Sequence, residues 1–239
     1  RRLADNKYRA YVTGSNAKML SQDVATTLGG RYITVHVYPY DFKEFLYANG
    51  VEVTENSLFA TESRAEIKRI FNDYFRSGGF PEGASLAAKR DYLTSVYQKI
   101  YLGDIAARHS IENTFALRIL FRKYYFADNG ILNLLLLDAD TSLLENLVAV
   151  TLLRRYGTDD AVFFYNRNVE VDFYLPDTGV AIQVCYTMNL SDETFQREVQ
   201  ALVKLNKVFE CRQLLIITYD DEERIELEKC AIEVIPVWK

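Results

Sequence analysis

Apolar positions along this chain follow two different periods, and the change from one to the other divides it. Between Thr61 and about Leu120 they recur at helical spacing: Ile67, Ile70, Phe71, Tyr74 and Phe75 form one stripe, which Gly78-Gly79 ends before Pro81. Leu93, Val96, Tyr97, Ile100 and Tyr101 form a second stripe. These aromatics read as core in preference to a ligand site. A third stripe, Leu143, Leu144, Leu147, Val148 and Leu152, predicts an amphipathic helix with Glu145 at its edge.

After that helix the period drops to two. Strands are expected at about 161–166, 169–175 and 180–186, then a helix capped by Ser191 and packing through Phe195, Val199, Leu202 and Val203. The run Leu214 to Ile217 reads as a buried strand, and Ile232 to Val237 as a last one. The order is α-β-β-β-α-β-β.

The first sixty residues read β-α-β: a strand near 8–14, a helix from Ser15 or Asn16 through Leu28 that Gly29-Gly30 stops, and a strand from Ile33 to Val37. Asp41 can then cap a short helix carrying Phe42, Phe45 and Leu46. Such alternation with short connections predicts a parallel α/β sheet.

Strict alternation concentrates chemistry in two neighbouring strands. Val169, Val171, Phe173 and Leu175 would face one way, with Glu170, Asp172 and Tyr174 opposite. In the next strand Val180, Ile182, Val184 and Tyr186 would share a face, leaving Ala181, Gln183 and Cys185 on the other. Paired through a turn at Pro176 to Gly179, the strands would gather two carboxylates, an amide and a thiol. This is the layout of a hydrolytic metal site whose last members have been replaced.

Composition narrows the classes. An apolar fraction of 49% in 239 residues suffices for packed cores, and only 4 prolines argue against long disordered linkers. No apolar run approaches the roughly 18 residues that span a bilayer, and no signal peptide opens the chain, so no membrane role is expected. Cys185, Cys211 and Cys230 form neither a CxxC pair nor an even framework, which predicts reduced thiols, a cytoplasmic location and no structural zinc. A net charge of -5 gives no general attraction for polyanions. Nucleic acid is therefore a candidate partner only through a local patch such as Arg64, Lys68, Arg69 and Arg76, whose plainer reading is a solvated helix face. Protein partners and oligomeric state stay open.

A group of motifs carries a family likeness. Val12-Thr13-Gly14-Ser15-Asn16, Leu28-Gly29-Gly30-Arg31 and the stretch from Pro39 to Leu46 resemble the part of an AAA+-type P-loop ATPase that follows the Walker B strand. Gly79-Phe80-Pro81-Glu82, Asp104-Ile105, Tyr124 to Gly130, Leu144-Glu145-Asn146 and Glu170-Val171-Asp172-Phe173 resemble the C-terminal domain attached to such ATPases in bacteria and archaea, itself similar to PD-(D/E)xK nucleases. The resemblance implies a partial ATPase domain at 1–56, a helical middle segment at 57–123 and a restriction-endonuclease-like α-β-β-β-α-β domain at 124–239.

Two departures shape the functional expectation. No GxxxxGK(S/T) loop is present, and no acidic Walker B strand precedes residue 8. The chain alone should then not hold ATP tightly, whereas the resemblance implies ATP and Mg²⁺ for a longer parent with a P-loop before Arg1. It also implies a skipped winged-helix-like region near Phe121 to Lys123. By the same resemblance Asn16 would stand beside the γ-phosphate and Arg31 would stabilise transferred charge; a helix cap and a surface arginine are the plainer readings.

In the nuclease-like part, Glu145 and Asp172 resemble the helix glutamate and the first motif aspartate. Gln183 stands where the second acid belongs and Cys185 where the lysine does. A neutral amide supplies no charge to Mg²⁺, and a thiol is too soft for it. The expectation is a degenerate catalytic site of Glu145, Asp172 and Gln183 in a binding or regulatory module. One alternative is an Mg²⁺-dependent DNA nuclease in which Glu170 joins Glu145 and Asp172 as metal ligands. Another is a non-enzymatic protein-interaction scaffold. Cys185 reads as a small buried thiol rather than a nucleophile, since neither His36 nor His109 is near it in sequence.

Overall fold

The computed structural model describes residues 11, 33, 35–54, 57, 59–99, 125–136, 139–156, 161–166, 169–188, 193–228 and 230–239. The chain divides into two compact units, 1–38 and 39–239. Within the first, the predicted strand at 8–14, apart from the exposed Tyr11, and the helix through Leu28 lie outside the described residues. Ile33 and Val35 to Val37 are described and exposed, and they form no strand, contrary to the periodicity. A strand exists only where a neighbour takes up its N–H and C=O groups, and the described residues supply none to this segment.

The second unit opens with α1 (Phe42–Ala48). Asp41 accepts a hydrogen bond from the Glu44 N–H at 2.8 Å, and the Glu44 carboxylate accepts from the Asp41 N–H at 2.8 Å. This reciprocal cap satisfies two donors that a helix start leaves orphaned. Helix α2 (Thr61–Ser77) buries Ile67, Ile70, Phe71, Tyr74 and Phe75, the whole predicted stripe. It stops at Gly78, whose φ of 73° suits glycine. The short helix α3 (Pro81–Ala84) leads to α4 (Lys89–Gln98), of which only Leu93 is buried.

Next come α5 (Asn129–Leu135), α6 (Asp140–Tyr156), β1 (Phe163–Asn166), β2 (Glu170–Leu175), β3 (Val180–Val184), α7 (Glu193–Phe209), β4 (Gln213–Thr218), β5 (Glu223–Glu226) and β6 (Ala231–Pro236). The strands form one mixed sheet in the order β1-β2-β3-β4-β6-β5. β1, β2 and β3 run as an antiparallel meander, β3-β4-β6 are parallel, and β5 returns antiparallel along β6. β5 was not anticipated: Glu223-Arg224-Ile225-Glu226 offers one apolar residue, as suits a charged edge strand.

Each face of the sheet carries its own core. On one side α6, α2 and α1 contribute Leu143, Leu144, Ile70, Phe71, Phe75 and Phe45 against Phe173, Leu175, Ile182 and Val184. On the other, Phe195, Val199, Leu202 and Leu205 of α7 cover Val171, Ala181, Leu214, Ile216, Ile232 and Val234. Between these layers, β2 and β3 are the strands that carry the candidate site.

Candidate functional site

Strand β3 keeps the expected alternation: Ile182 and Val184 point to the α6 side, Ala181 to the α7 side. Strand β2 does not. Phe173 and Leu175 pack with the α6-side core, but Val171 packs with α7, so the predicted common face of Val171, Phe173 and Leu175 is wrong. The pairing with β1 shows why. Phe163 stands opposite Tyr174 and Tyr165 opposite Val171, so β2 spends one residue more than β1 over the same stretch. The extra residue is a β-bulge, which bends the strand and turns its side chains by one position.

Asp172 lies in that bulge. Its Oδ2 accepts the Val184 N–H of the neighbouring strand at 2.8 Å. The Asp172 N–H in turn donates to Gln183 Oε1 at 3.2 Å. The other end of the same amide donates from Nε2 to Glu198 Oε2, a short contact, while the Arg197 guanidinium holds Glu198 Oε1 at 2.8 Å. Gln183 and Glu198 are buried. Sequence reasoning missed Glu198, yet it lies three residues after Phe195 and four before Leu202 on the apolar stripe of α7, where an acid is out of place.

Burial raises the Asp172 carboxyl to about 7, with Glu145, Glu198 and Glu170 adding repulsion and the Val184 N–H opposing them. Glu145, on the α6 side, accepts the Tyr125 hydroxyl at 2.7 Å. Burial, and then that contact, raise the Tyr125 phenol. Glu170 is exposed at the start of β2. The Cys185 thiol donates to the Thr187 carbonyl at 3.0 Å and packs toward α7. The fold thus gathers Asp172, Gln183 and Glu198 into one hydrogen-bonded chain, with Glu145 and Glu170 at its margins. Asn16 and Arg31 lie outside the described residues.

This donor set does not fit a hard divalent cation. Gln183 brings a neutral amide where a second anion would be needed, and one oxygen on each of Asp172, Gln183 and Glu145 already accepts a hydrogen bond from the protein. Among the described residues no group of three or more His, Cys, Asp or Glu is placed to hold a metal ion. Mg²⁺ demands near-octahedral oxygen ligation and gives up water reluctantly, so it does not displace such contacts cheaply.

Residues from three of the other quoted motifs meet in a separate knot, while Asp104-Ile105 and Tyr124 lie outside the described residues. Asp128 is buried and accepts the Gly79 N–H at 2.6 Å and the Gly130 N–H at 2.8 Å. Burial raises its carboxyl to about 6 against these N–H groups and Arg154. Asn129 donates to the carbonyls of Phe75 (3.2 Å) and Leu143 (3.0 Å), and Asn146 donates to Asn129 Oδ1 at 2.9 Å and to the Phe126 carbonyl at 3.0 Å. The motif residues at 79, 128–130 and 146 therefore tie α2 to α5 and α6. Their visible work is structural.

The basic patch is likewise engaged in the fold. Lys68 pairs with Asp220 at 2.6 Å and lies over the Trp238 ring, Arg64 lies over the same ring, and Arg76 pairs with Asp140 at 2.9 Å. Arg69 is exposed.

Residues 1–46 match a family model described as an AAA domain. In its N-terminal part the chain is thus similar to an AAA domain. The chain is 29% identical to an uncharacterized protein of Methanocaldococcus jannaschii over 312 aligned residues, covering all of this chain and 70% of that protein. The alignment exceeds this chain's 239 residues, so the relative carries inserted residues opposite gaps here. It is also 36% identical over 120 residues to an uncharacterized protein of Haemophilus influenzae, covering 49% of this chain and 27% of that protein. No solved structure matches. The AAA segment ends within α1, and the sheet with the Asp172 chain lies wholly beyond it.

Proposed function

We propose that this chain belongs to an AAA-type protein that binds and hydrolyses ATP with Mg²⁺, and that its C-terminal sheet is a nuclease-like module without catalytic capacity. The AAA match at 1–46 supports the ATPase half. An α-β-β-β-α-β sequence of elements, with an aspartate in the bulge of β2 and the helix glutamate on α6, supports the restriction-endonuclease-like half. The observation that carries the loss of catalysis is the Gln183 amide, fixed between the Asp172 backbone and the Glu198 carboxylate.

A phosphodiester hydrolase of this plan needs a charged pair to gather Mg²⁺ and a base to handle water. Gln183 contributes no charge and Cys185 no ammonium, so the module acts by binding or regulation, with nucleic acid as its candidate partner. The three free cysteines agree with a reducing, cytoplasmic setting, and among the described residues no helix is long and apolar enough to cross a membrane.

The test uses the full-length protein that carries this chain. ATP hydrolysis is expected, without Mg²⁺-dependent cleavage of DNA. Cleavage abolished by Asp172→Ala would overturn the inactive-module reading in favour of a nuclease using Glu145, Glu170 and Asp172. Absence of ATP binding and hydrolysis would leave an interaction scaffold instead.

A further inference from the structure

A cavity of about 240 Å³ opens on the α6 side of the sheet, and neither the ATPase nor the nuclease reading uses it. Among the described residues its wall is built from Tyr125, Phe163, Phe164 and Phe173, with Ala149 and Leu153 of α6. Three of those rings stay open to solvent: Tyr125 is 45% exposed, Phe163 45% and Phe164 53%. An apolar cavity of about 150 Å³ already holds benzene, so this one admits an aromatic ring with a short chain attached.

One end of the cavity is acidic. Glu145, Ala149 and Leu153 follow one another at four-residue steps along α6 and so share a face of the helix, which places Glu145 one turn beyond the Ala149 wall. The Tyr125 ring, its centroid 5.9 Å from that of Phe173, donates its hydroxyl proton to Glu145 Oε1 at 2.7 Å. Burial, that bond and the charges of Glu145 and Asp172 all resist loss of the proton. The phenol oxygen therefore offers a ligand only its lone pairs. Among the described residues no lysine or arginine pairs with Glu145. Arg154 and Arg155, further along α6, are turned to the Pro39 carbonyl and the Tyr156 ring.

We infer that this cavity binds a small organic cation, its apolar body the size of an aromatic ring lodged among Tyr125, Phe163, Phe164 and Phe173, and its ammonium group set against the Tyr125 oxygen and the Glu145 carboxylate. Charge selects among the ligands that would fit. An anion would meet Glu145 and, on β2, Glu170 and Asp172, which already repel one another. A neutral hydrocarbon would strip water from the carboxylate and give it no partner. A cation offsets that loss, donates to an oxygen that can only accept, and is attracted by the negative faces of the rings. This inference is independent of the ATPase and nuclease readings.

Calorimetric titration of the purified full chain with phenethylammonium, phenethyl alcohol and hydrocinnamate tests it, since the three share a phenyl ring on an ethylene tether and differ in charge. Saturable binding of the ammonium with a Kd of about 1 mM or below is expected. The alcohol should bind more weakly and the carboxylate not at all. Glu145→Gln, which keeps the shape of the side chain, should weaken the ammonium about tenfold and leave the alcohol unchanged, a split that a folding defect does not produce. Leu153→Trp, with the circular dichroism and urea midpoint of the wild type, should fill the space and abolish binding of both. Nuclear Overhauser contacts between the ligand ring and the Leu153 methyl groups give a readout that needs no variant. The inference is overturned by any of four results: no saturable binding of phenethylammonium, hydrocinnamate bound as tightly, equal losses for ammonium and alcohol in Glu145→Gln, or ligand contacts away from Leu153.

Discussion

Replacing Gly79 by alanine tests the motif knot most sharply. A Cβ built on Gly79 lies 3.0 Å from the Tyr40 backbone carbon and nitrogen, and closer still to the Tyr40 oxygen. Backbone cannot turn aside as a side chain does. Relief requires separating two segments that share the Tyr40 N–H bond to the Gly79 carbonyl at 2.7 Å. The Tyr74 hydroxyl reaches the Tyr40 carbonyl at 3.1 Å, and Asp128 receives the Gly79 N–H at 2.6 Å, so both contacts are disturbed as well. Overpacking costs about 1–3 kcal/mol. Each weakened hydrogen bond adds about 1 kcal/mol. The entropy that alanine removes from the unfolded chain returns only about 0.4–1 kcal/mol. The net loss is about 2–4 kcal/mol, read as a fall in the urea midpoint at an unchanged slope. Gly83→Ala, inside α3, is the control: its Cβ would meet Tyr92 at 3.7 Å and Phe80 at 4.0 Å, both ordinary contacts, and should be neutral or stabilising by about 0.5 kcal/mol. If Gly79→Ala shifts the midpoint no more than Gly83→Ala, the knot does not hold these segments together.

Two further outcomes follow from buried acids. Asp128 and Asp172 are raised to about 6 and about 7 from an ordinary carboxyl near 4, so the fold favours their neutral forms; that stability is present at acid pH and lost as pH rises to about 7. The urea midpoint should climb on acidification from about pH 7.5 to 5.5, and Asp172→Asn should flatten the upper part of that rise; an unchanged profile contradicts the assignment. Gln183→Glu would press a second carboxylate against Glu198, and one of the two must then hold a proton. The variant should lose about 2–4 kcal/mol above neutral pH and less near pH 5, by chemical denaturation at both; equal losses would mean that the Gln183 amide does not face Glu198.

Much of the fold was legible where one period governs one element. The α2 stripe from Ile67 to Phe75 is buried whole because nothing interrupts its spacing, and Asp41 with Glu44 announced the start of α1. The turn at 176–179 joined β2 to β3 as expected, with Gly179 at a φ of 67°. Strict alternation failed at Asp172, because a bulge inserts a residue without leaving a mark in the polar pattern. Glu198 went unread because an acid on a helix is ordinarily solvated; only its place on an apolar stripe sets it apart. The basic residues of α2 read as a patch in sequence, whereas Asp220, Asp140 and Trp238, their partners, come from distant parts of the chain.

The central claim is that Gln183, a neutral amide fixed between the Asp172 backbone and Glu198, leaves the site too poor in negative charge to gather a divalent cation. Titration of the protein with Mn²⁺ at about pH 7.5, followed by the paramagnetic resonance of the free ion, tests it directly. No site tighter than millimolar that depends on Asp172 is expected. Stoichiometric Mn²⁺ uptake that Asp172→Ala abolishes would contradict the account.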